Sequence, residues 1–230
     1  MTASAASAAI PIVDTERAQF TFGGYTRALA GWSRPLDGSL RRIQGIPASV
    51  GIGAAIFRTE LKLVVDGVFG LEVHNRLFQS VQSASLPGTS AGIGVSTLPP
   101  RSLELSTDLV RSETYLLNHD LDRVVLRFFL GSVDIALGRQ AITWGVGQLF
   151  PVVDYWTSFS PFDLDTSQKR GVDAARVTWG LSPQLELDFV LVDRGSLDDL
   201  SGGVRLVAYL DALDLHVSFS KAWEELVTSV

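Results

Sequence analysis

The sequence predicts an all-β chain, an antiparallel transmembrane β-barrel, and three observations carry that expectation. Apolar and charged residues alternate along most of the chain, its connections alternate short and long, and it is apolar overall without a helical span. The alternation is clearest in LDRVVLRFFLGSVDIALGRQAITWG, residues 121 to 145. Val124, Leu126, Phe128 and Leu130 share one parity there, and Arg123, Val125, Arg127 and Phe129 the other. Successive side chains of a strand leave opposite faces, so a period of two marks a strand with two unlike faces. The chain of 230 residues is 46% hydrophobic with a mean hydropathy of +0.24. Yet no stretch approaches the roughly 18 uninterrupted apolar residues of a membrane-crossing helix.

Residues 1–17 read as a disordered leader or signal remnant. The start, MTASAASAAIPIVD, has no basic or apolar signal region but carries A-x-A-like runs, Ala3-Ser4-Ala5 and Ala6-Ser7-Ala8. The barrel domain is then 18–230. Its first strand, 19–32, sets Phe20 and Phe22 against Thr21, Tyr25 and Arg27, and 33–47 reads as a loop from its Pro, Gly and charge. Strand 52–65 sets Phe57, Leu61 and Leu63 against Arg58, Glu60 and Lys62. Asp66-Gly67 is the strongest hairpin signal in the chain. Strand 68–81 returns with Phe69, Leu71, Val73 and Leu77 opposite Glu72, His74 and Arg76. Residues 82–103 are a Pro/Gly-rich loop, and 104–120 are ambiguous. The hairpin quoted above turns at Gly131-Ser132, a type II′-like pair, and sets Val133, Ile135 and Leu137 against Asp134. After a second long loop, 147–171, strand 172–179 sets Ala175, Val177 and Trp179 against Asp173, Arg176 and Thr178, with some mixing of parity. Strand 185–192 sets Leu185, Leu187, Phe189 and Leu191 against Glu186 and Asp188. A polar loop at 194–202 leads to a last hairpin around Asp211-Ala212, with Leu213, Leu215, Val217 and Phe219 opposite Asp214, His216 and Ser218.

About nine strands result, and the long connections fall at one end. Outer-membrane barrels have short periplasmic turns and longer extracellular loops, whereas a sandwich has no reason to sort them. Nine is odd, single-chain bacterial barrels are usually even, and the chain runs out in SKAWEELVTSV without a closing aromatic residue. The expectation is therefore a partial barrel, the N-terminal half of a longer one or a truncated gene product.

Several function classes find no support. A net charge of −6 gives no basic footprint for nucleic acid. No cysteine is present for disulfides, thiolate metal sites or a thiol nucleophile. His74, His119 and His216 lie in separate segments without H-E-x-x-H or G-x-S-x-G, so no enzyme is expected, and no cofactor or metal. Asp163, Asp165 and Thr166 lack the spacing of a calcium loop.

The charged parity is the candidate functional surface. It comprises Arg58, Glu60, Lys62, Glu72, Arg76, Arg123, Arg127, Asp134, Arg176, Glu186 and Asp188. One reading is a lumen that selects solutes by charge; the other is a ladder of cross-strand ion pairs filling a polar interior. Arg139 falls on the apolar parity, so either a bulge at Gly138 turns it inward or it lies at the rim and snorkels. The 147–171 loop, with Asp154, Tyr155, Trp156, Phe159 and Phe162, either enters the lumen or packs its aromatics over the mouth. Trp32, Phe57, Trp144 and Trp179 are candidates for interfacial girdles.

Residues 138–179 resemble proteobacterial outer-membrane β-barrel proteins akin to the alginate-export and phosphate-selective porins. The shared pattern is G-R-Q-x-I-x-W-G, then D-x-W…S-P-x-D, then G-V-D-A-x-R. Here it is Gly138, Arg139, Gln140, Ile142, Trp144 and Gly145; Asp154, Trp156, Ser160, Pro161 and Asp163; and Gly171, Val172, Asp173, Ala174 and Arg176. The resemblance covers about a fifth of the chain and implies a single barrel of more than 12 strands in the bacterial outer membrane, with passive transport or no known activity. The expected function is thus a porin-like channel for passive diffusion of small solutes. A non-transporting structural or anchoring barrel and a soluble β-sandwich binding module are the alternatives. The expected partners are the lipid bilayer with its lipopolysaccharide, small solutes, and other copies of the chain through unpaired strand edges.

Overall fold

The computed structural model describes residues 2–4, 8–33, 49–84, 99, 101–144, 156–157, 165, 168–196, 198–210, 213–222 and 225–229. Among these there are thirteen strands and no helix: β1 (Thr2–Ser4), β2 (Ala8–Asp14), β3 (Ala18–Ser33), β4 (Val50–Val65), β5 (Phe69–Gln82), β6 (Ser106–Arg111), β7 (Tyr115–Leu130), β8 (Val133–Gln140), β9 (Val172–Ser182), β10 (Leu185–Asp193), β11 (Ser201–Leu210), β12 (Leu213–Ala222) and β13 (Glu225–Ser229). All nine expected strands are present. β1 and β2 lie where a disordered leader is expected, β6 and the first part of β7 come from the ambiguous 104–120, and β13 from the tail. Alternation missed these segments because β1, β6 and β13 are short and β2 slips register between Pro11 and Val13.

Every pairing is antiparallel and all strands belong to one sheet, in the order β1-β3-β4-β5-β7-β8-β9-β10-β11-β12-β13. β1 and β2 run one after the other along the same side of β3. β6 and β8 do the same along β7. The sheet is not closed: β1 and β2 form one edge and β13 the other, and no described residue pairs with their outer sides.

Turns of two or three residues join β2–β3, β4–β5, β7–β8, β9–β10 and β11–β12 at one end. Asp66 (φ 50°) and Gly67 (φ 64°) both take positive φ, as a type I′ turn requires, and Gly131 (φ 67°) opens the β7–β8 turn. The longer connections, 34–49, 83–105, 141–171 and 194–200, join strand ends that point away from these turns, as do the short β6–β7 and β12–β13 links.

The burial is inverted. Charged residues fill the buried face: Arg58, Arg139, Asp122 and Asp188 are at most 1% exposed. The opposite face carries the large apolar groups, among them Leu61, Leu126, Leu137, Phe189, Leu191, Val217 and Phe219, all exposed. Register fixes which residues share a face. Arg58 pairs with Arg76, Lys62 with Glu72, Gly70 with Arg127, Ala136 with Arg176 and Asp188 with Arg205. One slip occurs in β7, where Asn75 faces Leu121 and His74 faces Arg123. Asp122 bulges there, so Asp120 and Asp122 share the buried face with Arg123 and Val125 beyond the slip. Two apolar clusters sit among the charges on this face. One comprises Ala54, Ile56, Phe78 and Leu116. The other comprises Ile142, Trp144, Trp156, Val172, Ala174, Val190 and Val192.

Candidate functional site

All eleven charged residues singled out in the sequence occupy the buried face by register. Two of them toward the tight-turn end, Lys62 and Asp134, are exposed, and Glu186 beside the β9–β10 turn is half-buried. Those in the strand centres interlock. Arg58 on β4 reaches over β5 to Asp122 on β7, with Nη1 2.7 Å from Oδ2. Its Nε lies 3.3 Å from Glu60, and its Nη2 lies 2.9 Å from Nδ1 of His74. Glu72 lies 2.8 Å from the other ring nitrogen of His74, 3.4 Å from Arg127 and 3.8 Å from Arg123.

The network continues into a gap in the sheet where β8 ends, β6 begins and β7 bulges. Arg101 donates to Asp120 (2.8 Å), to Asp122 (3.4 Å) and to the carbonyl of Gly171 (2.8 Å). Arg170 donates to Asp120 (3.2 Å), and the Gly171 amide to Asp122 (3.2 Å). Arg139 makes a two-pronged pair with Asp173 and donates to the carbonyls of Leu121 and Leu103. Gly138, at φ 110°, lets the chain turn so that Arg139 is buried rather than at a rim. Burial, more than the neighbouring Arg139 charge, pulls the Arg101 guanidinium below its ordinary range, against the attraction of Asp120.

A second knot surrounds Asp188, which accepts from Arg176 (2.7 and 2.9 Å), Arg205 (3.0 Å) and the Trp144 indole (2.8 Å). Arg205 also lies over the Trp144 ring at 5.5 Å. Trp144 meets Trp156 edge to face at 4.9 Å. Trp144 and Trp156 are thus buried, which corrects the placement of Trp144 in an interfacial girdle. The chain leaves β8 after Gln140 and folds onto the buried face, a turn that strand parity does not register. Trp179 is exposed near the tight turns and Trp32, 79% exposed, lies at the far end of β3, whereas Phe57 is exposed in mid-strand, away from both ends.

Several described residues within 138–179 are held by hydrogen bonds and ion pairs. Gln140 donates to the carbonyls of Ala136 and Ala174, Thr157 donates to that of Ile142, Arg139 pairs with Asp173 and Arg176 with Asp188. Gly145, Asp154, Ser160, Pro161 and Asp163 lie outside the described residues, as do Tyr155, Phe159, Phe162 and Thr166. Asp165 is described: it accepts from the Tyr25 hydroxyl and from Arg27 on β3. Among the described residues, no group of three or more His, Asp or Glu is arranged to hold a metal ion.

Sequence reasoning left Asp120, Asp122, Arg101, Arg170 and Arg205 out of the candidate face. Asp120-Leu121-Asp122 carries the alternating signal, but the bulge after it breaks the parity count. Arg101 and Arg170 come from connections, where parity has no meaning. No protein-family model matches the chain, and no curated protein or solved structure matches it either.

Proposed function

We propose that this chain is the wall of an outer-membrane β-barrel with a polar interior through which small solutes diffuse, as in the porin-like proteins that residues 138–179 resemble. The observation that carries the reading is the inverted burial. A protein in water hides its large apolar groups and exposes its charges; here Leu61, Phe189 and Phe219 face out and Arg58, Asp122 and Asp188 are buried. A lipid-facing apolar surface around a polar interior is the membrane-barrel solution. Dimensions agree with it. Phe20 to Trp32 span twelve steps of β3 on the outer face, about 40 Å at ~3.3 Å per residue, or about 30 Å of height at a ~40° tilt. Lipid tolerates no unpaired strand edge, so in this reading the outer sides of β2 and β13 pair with further strands.

One observation favours a second reading, a barrel that transports nothing. Arg58, Asp122 and Asp188 are dry and ion-paired, and a charge engaged in this way is not free to exchange partners with a passing solute. The test is folding into lipid vesicles, followed by a heat-modifiable gel shift and single-channel recording. Discrete conductance steps support the channel. A compact, heat-sensitive band without conductance supports the second reading. A chain that ignores vesicles overturns both.

A further inference from the structure

We propose that the outer face of β3, β4 and β5 seats a second copy of this chain at mid-height, with Phe57 of each copy entering a groove on the other beside a shared Thr59–Asn75 contact. The inference rests on the barrel reading, which turns this face toward lipid. The large apolar groups give way there at one place. Thr59 on β4 pairs directly with Asn75 on β5, and on its other side with Gly24 on β3. All three alternate with the buried Arg58, Arg76 and Tyr25 and so belong to the outer face. Each lies six residues from a tight turn, counted from Val65, Phe69 and Ala18. Six residues make about 20 Å along a strand and about 15 Å of height at a ~40° tilt, the middle of a ~30 Å hydrocarbon core. At the same count β10 and β12 carry Leu191 and Phe219. An amide or hydroxyl in hydrocarbon loses its water without replacement. The Asn75 side-chain oxygen has no hydrogen-bond partner among the described residues.

The surface beside this pair complements itself. Ile10, Phe22 and Phe57 wall a groove of about 300 Å³, with Gly24 and Thr59 at its floor. A Cβ on Gly24 would lie 2.2 Å from the carbonyl oxygen of Arg58, so the floor stays bare. Phe57 stands at the rim, 50% exposed and two residues farther from the turn than Thr59. A two-fold axis along the membrane normal brings like surfaces together at equal height. A knob and a socket at one height on one copy therefore fill each other on two. Thr59 and Asn75 meet their counterparts in the same arrangement, and each amide supplies both donors and an acceptor. A patch five strands wide, from β2 to β7, and about eight residues tall covers about 600 Å² per copy at ~4.8 Å between strands and ~3.3 Å per residue. The total of about 1,200 Å² reaches the range of stable interfaces. The same arrangement accounts for Phe57 standing exposed in mid-strand, away from both ends.

The experiment uses the full chain folded in vesicles. The chain has no cysteine, so Glu16→Cys in the β2–β3 turn gives one labelling site. Energy transfer between donor- and acceptor-labelled copies is expected to survive a tenfold dilution with lipid. It should rise linearly with the acceptor fraction, as a pair of copies requires. F57A and N75L are each expected to weaken association at least tenfold. F219A, on the same apolar face but on β12, should leave it unchanged. The heat-modifiable band reports that each variant is inserted and folded. Transfer that falls to the chance level on dilution would overturn the proposal and leave the groove to acyl chains. A curved dependence on acceptor fraction would overturn the two-fold, and F57A and N75L indistinguishable from F219A would overturn the contact. Each of these failures leaves the barrel reading in place, because the band is independent of transfer. A chain that ignores vesicles removes both.

Discussion

Arg139 grips Asp173 with two parallel hydrogen bonds, Nε to Oδ1 at 2.8 Å and Nη2 to Oδ2 at 3.0 Å. The same carboxylate accepts the Leu103 amide at 2.9 Å, so this pair joins β8, β9 and the segment before β6. Removing one partner of a buried pair strands the other charge, at a cost of about 3–5 kcal/mol. R139A is expected to lose roughly that much. R139K keeps the charge but not the planar fork, and is expected to lose most of the same stability. The urea midpoint of the heat-modifiable band measures both. A lysine variant at unchanged stability would show that charge alone suffices.

His74 is held in one tautomer by its neighbours. Arg58 Nη2 lies 2.9 Å from Nδ1, and a guanidinium carries donors only, so Nδ1 accepts. The ring proton then sits on Nε2, 2.8 Å from a Glu72 oxygen. Nitrogen NMR of the folded protein should find Nδ1 accepting and the ring proton on Nε2. His74→Phe leaves the Arg58 guanidinium short of a hydrogen bond and is expected to cost about 1–3 kcal/mol. A spectrum with the proton on Nδ1 would contradict the Arg58 contact.

Strand parity made the face of each charged residue legible, because a side chain's side of the sheet depends only on counting by two. Arg58, Glu72, Arg176 and Asp188 could be assigned this way from the sequence. Counting cannot see a slip, so the bulge at Asp122 hid half of the central network. Nor does it give height along a strand, which is why Phe57, exposed in mid-strand, reads as readily as Trp179 for a girdle. Trp144 was misread for a third reason: the chain abandons the strand after Gln140, and beyond that point parity carries no information. Arg101, Asp165 and Arg170 lie in connections, and only the folded chain brings them to Asp120 and Tyr25.

The two sides of the wall are distinguishable by tryptophan alone. Trp32 and Trp179 are exposed on the apolar face, whereas Trp144 and Trp156 are buried among charges on the other. In single-tryptophan variants folded into vesicles of bromine-labelled lipid, emission from Trp32 and Trp179 should be strongly quenched. Emission from Trp144 and Trp156 should be nearly unaffected, since a bromine atom in the acyl chains cannot approach them. Equal quenching of all four would rule out an apolar face toward lipid. The comparison needs no conductance, so it tests the orientation of the wall even if nothing passes through it.

Glycine is demanded at the gap in the sheet and not at Gly31 on β3. A Cβ on Gly171 would lie 2.2 Å from the carbonyl oxygen of Asp122 and 2.8 Å from Cγ of Arg139. One on Gly138 would lie 2.3 Å from the carbonyl oxygen of Val124, at a φ of 110° that side chains rarely adopt. Both carbonyl oxygens are backbone, which cannot swing aside without parting β7 from β8 and β9. Gly31 has nothing within 4 Å of its absent Cβ. G171A and G138A are therefore expected to cost more than about 3 kcal/mol each, clash added to backbone strain of roughly 1–3 kcal/mol. G31A should be neutral or stabilising by up to about 1 kcal/mol, because alanine loses less chain entropy on folding. Denaturant midpoints of the three variants measure this. A G171A chain as stable as G31A would mean that β7 and β9 do not approach as closely at Asp122 as the geometry requires, and the charge network built across that approach would have to be redrawn.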